Sequence, residues 1–216
     1  GTKFGKDVVD AAAYIEVLAT YGPDDPTSDW TNPLGYLSDR VTAPIKQELF
    51  DQWQGYLDAD AAEVYRNTGD IGPLQERTVK RYIRSYNAAY ADARQLQDSG
   101  LLDRKYSTMA ANFRLGFETD LLARSAMIDW FQDLGINTVT DPNIGINQRV
   151  YEPSEEKFYR IPDLKVGDTV LEGTLWQKTF DTPQLADIVD WTNPRSVVVV
   201  NPYAHNQGQV RRYSGR

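Results

Sequence analysis

The stretch from Tyr159 to Leu185 reads YRIPDLKVGDTVLEGTLWQKTFDTPQL and decides the predicted fold. Two β-rich segments flank Gly167-Asp168, and such a pair is typical of a two-residue hairpin turn, because glycine reaches positive φ without steric cost. If these two residues form the turn, Asp163 lies opposite Glu172 in the antiparallel pair. The turn therefore predicts two carboxylates on one side of a sheet, with Cβ atoms about 5 Å apart.

Directly opposed like charges destabilise a hairpin, so this carboxylate pair needs a physical explanation. A divalent cation between Asp163 and Glu172 would remove the repulsion, and hard oxygen ligands suit Mg²⁺ or Mn²⁺. In the alternative interpretation, Asp163 begins a strand after Pro162 and Glu172 points into water. The motifs that surround the pair favour the metal site.

These motifs resemble the PD-(D/E)XK nuclease superfamily, the restriction-endonuclease-like fold. More narrowly, they resemble the nuclease domains at the C-termini of bacterial polymorphic toxins. In that group a strand carrying "(R)PD" is followed by a turn and a strand carrying "ExK", which Pro162-Asp163 and Glu172 match. A helix that opens with "QL..D" follows, matched by Gln184, Leu185 and Asp187, and Gly116-Phe117-Glu118 matches the helix upstream. The resemblance covers residues from about 115 to 202.

The resemblance implies a metal-dependent nuclease that hydrolyses phosphodiester bonds of DNA or RNA. Asp163, Glu172 and the backbone carbonyl of Gly173 would bind Mg²⁺ or Mn²⁺. Glu118 would bind a second ion or orient a water molecule, and Gln184 would lie at the rim of the site. The resemblance also implies the toxic C-terminal domain of a secreted antibacterial effector, which acts in the target-cell cytoplasm and binds a cognate immunity protein.

One position departs from the family pattern, since Thr174 stands where the lysine of "ExK" is expected. That lysine positions or activates the attacking water, and Lys165 and Lys178 are the two candidates to replace it. Along an extended strand, Lys178 would lie ~20 Å from Glu172, at about 3.3 Å per residue. Lys165 would lie diagonally across from Glu172, so the hairpin geometry favours Lys165.

Two other functions stay open. Thr174 is also compatible with a catalytically decayed nuclease-fold module that binds a protein or a nucleic acid without cutting it. A third option places the function in the helical first half, as an adaptor or delivery segment.

Composition narrows the chemistry. The chain has no cysteine and one histidine, which excludes disulfides, thiolate catalysis and paired-histidine metal sites. The net charge of −8 argues against non-specific nucleic-acid binding through the whole surface. No apolar run has the length of a membrane span.

Hydrophobic periodicity predicts an α/β (α+β) chain whose N-terminal half is helical. The resemblance implies that the second half is a restriction-endonuclease-like mixed sheet flanked by helices. We expect a helical region over residues 1–111 and a nuclease domain over residues 112–216. Helices are predicted at residues 6–20, 44–57, 58–66, 73–97, 112–134 and 183–191, and strands at 149–151, 158–166 and 196–200. Residues 137–147 are predicted to be a loop.

Two helical faces bear on function. In the helix at 112–134, Phe117, Leu121, Ile128 and Phe131 are predicted to line the side that covers the sheet, with Glu118 beside them. In the helix at 73–97, a basic cluster (Arg77, Lys80, Arg81 and Arg84) is predicted to be a solvated face. The alternative for that cluster is a nucleic-acid contact, with Tyr82 and Tyr86 stacking on bases.

Overall fold

A computed structural model describes residues 43–154, 158–176, 178–179, 181–202 and 209–214. The helix predicted at residues 6–20 lies outside the described residues. Backbone contacts divide the chain into two compact units, Gly1–Glu63 and Val64–Arg216. The described residues of the first unit belong to helix α1, where the rings of Phe50 and Trp53 lie 5.9 Å apart.

Helix α1 runs without interruption from Ala43 to Thr68. The predicted break near Asp58 is therefore wrong. Aspartate favours a helix start, but Ala59, Ala61 and Ala62 are strong helix formers, and they continue the helix through this region.

Three further helices follow, and two of them confirm the predicted segments. They are α2 (Gly72–Asp98), α3 (Leu101–Lys105) and α4 (Ala111–Asp133). Pro73 lies in the first turn of α2, where its missing N–H has no intrahelical role. Gly100 and Gly135 follow α2 and α4 with φ of +72° and +71°, a conformation that ends a helix at low cost for glycine. Helices α2 and α4 pack extensively on each other.

The remaining described elements are seven strands and one helix. In chain order they are β1 (Ile144–Ile146), β2 (Val150–Tyr151), β3 (Tyr159–Arg160), β4 (Leu164–Val166), β5 (Thr169–Gly173), α5 (Pro183–Thr192), β6 (Ser196–Asn201) and β7 (Gln209–Ser214). Five strands form one sheet in the order β1-β4-β5-β6-β7, and β2 and β3 form a separate antiparallel pair. Strands β5 and β6 are parallel, whereas the other three neighbouring pairs of the large sheet are antiparallel.

The hairpin between β4 and β5 has the predicted register. Val166 pairs with Thr169 and Leu164 with Leu171, and Gly167 has a φ of +54° in the turn. The adjoining predictions need correction. The expected strand over residues 158–166 is interrupted at Ile161–Asp163, where Pro162 has no N–H to give to a ladder. The expected loop at 137–147 contains edge strand β1, which is short and pairs with β4.

The sheet of the second unit has helices on both faces. On one face, Leu185 and Ile188 of α5 pack against Val170, Val197 and Val199. On the other face, the ring of Tyr86 in α2 lies so close to Gly173 that a Cβ there would be 2.0 Å from a ring carbon. The chain is thus a mixed α+β protein in its described part.

Helices α2 and α3 belong to the same compact unit as the sheet. The division into residues 1–111 and 112–216 stays a prediction. Among the helices that the structure describes, none combines the length and the apolar character that crossing a membrane requires.

Candidate active site

The hairpin brings the two predicted carboxylates together at one end of the sheet. Asp163 lies just before β4, and its Oδ2 accepts hydrogen bonds from the Gly173 backbone N–H at 2.7 Å and from the Tyr82 hydroxyl at 3.0 Å. Its own carbonyl accepts a hydrogen bond from the Asn147 backbone N–H at 2.9 Å. Asp163 is therefore fixed by contacts to β5, to α2 and to the residue that follows β1.

Glu172 is the most deeply buried acidic group of the site, with 1% of its surface exposed. Its Oε2 accepts hydrogen bonds from Lys178 Nζ at 2.9 Å and from Gln184 Nε2 at 3.3 Å. Its Oε1 is buried and has no hydrogen-bond partner, although the Asp163 backbone amide faces this carboxylate. A buried carboxylate oxygen without a partner is costly, so this atom marks a position suited to a further ligand.

The two carboxylates disfavour each other's ionised form. Burial, followed by repulsion from Asp163, raises the pKa of Glu172 from 4.5 to about 8, and Lys178 opposes the rise. Burial also raises the pKa of Asp163, against the hydrogen bonds from Gly173 and Tyr82. Without a bound metal ion, the raised pKa values favour a carboxylate pair that retains a proton near neutral pH. Two adjacent negative charges at this site would be too costly. The hydrogen bond from the Gly173 N–H to Asp163 places this carboxylate beside the residue that follows Glu172, so both carboxylates lie at the same end of the sheet.

The cation beside Glu172 is Lys178, so the expected distance of ~20 Å along an extended strand is wrong. Strand β5 ends at Gly173, and Thr174 Oγ1 then accepts a hydrogen bond from the Trp176 backbone N–H at 3.1 Å. This ST-turn ends the extended course of the chain, and Lys178 lies beside the Glu172 carboxylate. Lys165 lies opposite Val170 and Gly145 in the sheet, and the ammonium that pairs with Glu172 is that of Lys178.

Glu118 does not join the site. Both of its carboxylate oxygens accept hydrogen bonds from Lys105 Nζ at 2.9 Å, and Oε2 also accepts a short bond from the Tyr106 hydroxyl. The acidic side chain of α4 that faces the site is Asp120, whose Oδ1 accepts a hydrogen bond from the Tyr86 hydroxyl at 2.9 Å. Burial and then repulsion from Asp163 raise the pKa of Asp120 to about 7.

Glu118 was predicted from the match of Gly116-Phe117-Glu118 to the family's upstream helix, and the orientation of α4 directs it away from the site. The buried residues of this helix are Leu115, Glu118, Thr119, Ala123, Met127, Trp130 and Phe131. Phe117, which was predicted to cover the sheet, is 43% exposed. Apolar side chains occur on several faces of α4, so periodicity alone leaves its orientation open. Asp120 and Arg124, four residues apart, are the polar pair on the face toward the site, and that spacing was the available signal.

Tyr82 and Tyr86 have a different role from the stacking considered for them. Their rings are buried and stack on each other with centroids 5.9 Å apart, so neither ring is available to a base. Their hydroxyls instead donate to Asp163 and Asp120. A cavity of about 10 Å³, space for about one water molecule, lies between these tyrosines, Asp120, Arg124 and Asp163.

Gln184 and Asp187, on α5, lie where the helix approaches the strands. Gln184 contacts Glu172, as described above, rather than standing apart at a rim. Asp187 forms an ion pair with Arg160 of β3, and the Arg160 guanidinium lies 5.8 Å from the ring centroid of Trp191. The arginine before Pro162-Asp163 therefore connects this hairpin segment to α5.

The carboxylate oxygens of the site are donor atoms of the type that a hard divalent cation needs. Mg²⁺ is commonly held by one or two carboxylates together with waters and substrate phosphates. Asp163 and the unpartnered Oε1 of Glu172 fit that requirement. Within the described residues there is no group of three or more acidic, histidine or cysteine side chains at metal-binding spacing. The described site therefore contains two carboxylates that could hold such a cation.

No protein-family model, no curated protein and no solved structure matches this chain.

Proposed function

We propose that this chain is a metal-dependent endonuclease of the PD-(D/E)XK type, which hydrolyses phosphodiester bonds of DNA or RNA. The proposal includes its role as the toxic C-terminal domain of a secreted antibacterial effector that acts in the target-cell cytoplasm. The observation that carries the nuclease proposal is the buried Glu172 beside Asp163. One of its oxygens is bound to Lys178, and the other has no partner.

The order of the elements supports the proposal. A helix, α4, precedes the β4–β5 hairpin, and α5 and the buried strand β6 follow it. Strand β6 lies parallel to β5, so α5 forms the crossover that a parallel pair requires. The motif residues Asp163, Glu172 and Gln184 meet at the end of this hairpin. This arrangement fits a restriction-endonuclease-like fold, in which a helix, a hairpin and a helix build one catalytic end.

Each residue of the centre has a distinct task in this proposal. Asp163 and Glu172 would hold Mg²⁺ or Mn²⁺, and the backbone carbonyl of Gly173 stays a proposed third ligand. The bound cation would act as a Lewis acid toward the phosphodiester. The Lys178 ammonium would stabilise negative charge on the phosphate, and Gln184 orients the Glu172 carboxylate. Tyr82 and the Gly173 amide keep Asp163 in place for binding.

Lys178 distinguishes the active nuclease from the decayed module. Without any lysine at the pair, Thr174 would favour a scaffold that has lost catalysis. The ammonium of Lys178 lies 2.9 Å from Glu172 Oε2, in contact with the carboxylate that the expected lysine would serve. The site thus contains the cation that position 174 lacks, which favours the active enzyme.

Cleavage assays test the proposal directly. Purified protein is mixed with plasmid DNA and, separately, with total RNA, in Mg²⁺, Mn²⁺ or EDTA. We expect one substrate to be cut in the presence of metal, and cutting to stop in EDTA, in Asp163→Ala and in Glu172→Ala. Asp133→Ala, an exposed aspartate at the end of α4, is the matched control and should cut like the wild type. Equal cutting by Asp163→Ala and wild type would exclude this metal site.

An immunity protein is part of the same proposal. A toxic nuclease needs an inhibitor in the cell that makes it, and the net charge of −8 favours a neutral or basic contact patch on that partner. Expression of the domain alone should arrest growth, and the neighbouring open reading frame should restore it. Normal growth of every host that expresses folded domain would count against the toxin role.

A further inference from the structure

Three exposed aromatic rings surround a cavity of about 600 Å³ beside the carboxylate pair. Phe113 and Phe117 lie one turn apart on α4, with 58% and 43% of their surfaces exposed, and Trp176 follows β5 with 61% exposed. All three rings line this cavity, together with Gly173 and Lys178. The ring of Tyr106 packs edge-on against Phe117, with centroids 5.4 Å apart, and restricts its orientation. Exposed aromatic rings in a group of this kind indicate a binding surface.

The lining of the cavity is aromatic rather than basic, which limits the chemical classes of ligand that it can bind. Its lining includes two charged side chains, Asp120 and Lys178, of opposite sign. Proteins that bind the nucleic-acid backbone through charge use several cations, and this chain has a net charge of −8. Stacking of a base on an aromatic ring instead contributes affinity without cationic side chains. The rings can therefore supply binding that electrostatics does not supply here.

The position of the cavity sets the part of a ligand that would enter it. Gly173 and Lys178 line the cavity, and both also contact the carboxylate pair, through Asp163 and Glu172 respectively. A nucleotide whose phosphate lies at the pair would thus place its base against the rings. The bases of a duplex are stacked and paired, and a base can enter such a cavity only after unpairing.

We propose that this cavity binds an unpaired nucleobase next to the scissile phosphate, so that the preferred substrate is single-stranded nucleic acid. This inference rests on the proposed nuclease function for the position of the phosphate. The stacking itself requires no cleavage, so binding and cutting can be measured separately.

Binding is measured by fluorescence anisotropy with a short labelled oligothymidylate, in EDTA and again in Ca²⁺. Wild type should bind this probe at least about tenfold more tightly than a duplex of the same length. Trp176→Ala and Phe113→Ala should each weaken binding by about tenfold, and Trp176→Phe should stay within about threefold of wild type, because it keeps a ring. Phe158→Ala is the matched control, since Phe158 is also 58% exposed and does not line the cavity.

A second probe isolates the base. The same oligonucleotide with abasic sites keeps its phosphates and should bind wild type about tenfold more weakly. Equal binding of the intact and abasic probes, or no binding in either buffer, would overturn the stacking proposal even if the enzyme cuts DNA or RNA. Conversely, tight binding without any cutting would sink the nuclease proposal alone. If the ring substitutions weakened binding of an immunity protein but not binding of the oligonucleotide, the cavity would be a protein interface. The inference would then be wrong.

Discussion

Two buried glutamates, each beside a lysine, differ in how far their carboxylates are satisfied. Glu118 is 2% exposed and receives hydrogen bonds on both oxygens from Lys105 and Tyr106. Glu172 is 1% exposed, and one of its two oxygens has no partner. Burial alone would raise both pKa values, but the bonds to Tyr106 and Lys105 outweigh burial and lower the pKa of Glu118. The pKa of Glu172 rises to about 8.

Glu118 therefore forms a satisfied ion pair, whereas Glu172 has the unsatisfied oxygen on which the proposed metal site rests. Burial and the bonds from Tyr106 and Lys105 set the pKa of Glu118, whereas repulsion from Asp163 adds to the rise in the pKa of Glu172. A folded protein keeps two adjacent buried carboxylates at a cost in stability, and such costs concentrate at functional sites. In the proposed enzyme, Glu118 would therefore serve the fold and Glu172 the chemistry.

Replacing each glutamate by glutamine should give the largest contrast, in activity. Glu172→Gln removes a proposed metal ligand without changing its shape, so the cleavage rate should fall by about a hundredfold or more. Glu118→Gln should cut within about threefold of wild type, per folded molecule. Initial rates on the sensitive substrate, with circular dichroism to establish folding, measure both. If the two variants lost activity equally, the assignment of separate roles would fail.

The two partner lysines should differ in the same direction. Lys178→Met removes the cation beside Glu172 and should slow cleavage by about tenfold to a hundredfold, which is typical for the loss of one group that stabilises developing charge. Lys105→Met should have little effect on the rate, and Lys165→Met serves as a second control. The double variant Thr174→Lys with Lys178→Met asks whether the family position can substitute. A rate loss in Lys165→Met, and none in Lys178→Met, would restore the geometry expected from the sequence.

The two glutamates should also give opposite pH dependences of stability in EDTA. A raised pKa means that the folded state holds the proton more tightly, so the contribution of Glu172 is lost as pH rises from 4.5 through about 8. The lowered pKa of Glu118 gives stability that is lost as pH falls through its folded value. At pH 8, Glu172→Gln should therefore be more stable than wild type by about 1–3 kcal/mol. Urea unfolding at several pH values measures the difference.

Bound metal should offset the loss of stability that ionisation of Glu172 causes at high pH. Mg²⁺ in excess should stabilise wild type at pH 8 and leave Glu172→Gln nearly unchanged, because a ligand stabilises only the state that binds it. An equal shift in both proteins would place the cation elsewhere.

The smallest effect is expected for the stability of Glu118→Gln near neutral pH. Glutamine retains an acceptor for Tyr106, and Lys105 is half exposed, so solvent screens much of the lost ion pair. We expect a loss of about 1 kcal/mol in the free energy of unfolding. A loss several times larger would indicate that α3 and α4 depend on this carboxylate for their packing.

Local sequence was sufficient to predict the hairpin and its register. Gly167 supplies the positive φ of the turn, and the register pairs Leu164 with Leu171, so Asp163 and Glu172 follow at the same end of the hairpin. Both features depend on residues within ten positions of each other, so little tertiary information was needed. The same holds for α2 and α4, whose ends are marked by glycine and proline.

The errors share a different physical origin. The distance to Lys178 was misjudged because strand β5 ends at Gly173, and hydrogen bonds of the Thr174 hydroxyl and the Asn201 side chain then hold residues 174–176 in a turn. Strand geometry contains no sign of this turn. Glu118 was predicted from the family's helix motif and Asp120 was not considered, because the orientation of α4 depends on packing against α2, which is remote in sequence. Edge strand β1 was missed because its three residues, Ile-Gly-Ile, carry too short a pattern to distinguish a strand from a loop.

The close approach of Gly173 to Tyr86 has a consequence for selection experiments. Any other residue at position 173 would place a Cβ 2.0 Å from the Tyr86 ring, next to the amide that binds Asp163. If cells are challenged to survive expression of an intact, toxic nuclease, escape alleles should include Gly173 substitutions as often as losses of Asp163 or Glu172. Inactivating substitutions would then be as frequent at a position without a side chain as at the two carboxylates beside it.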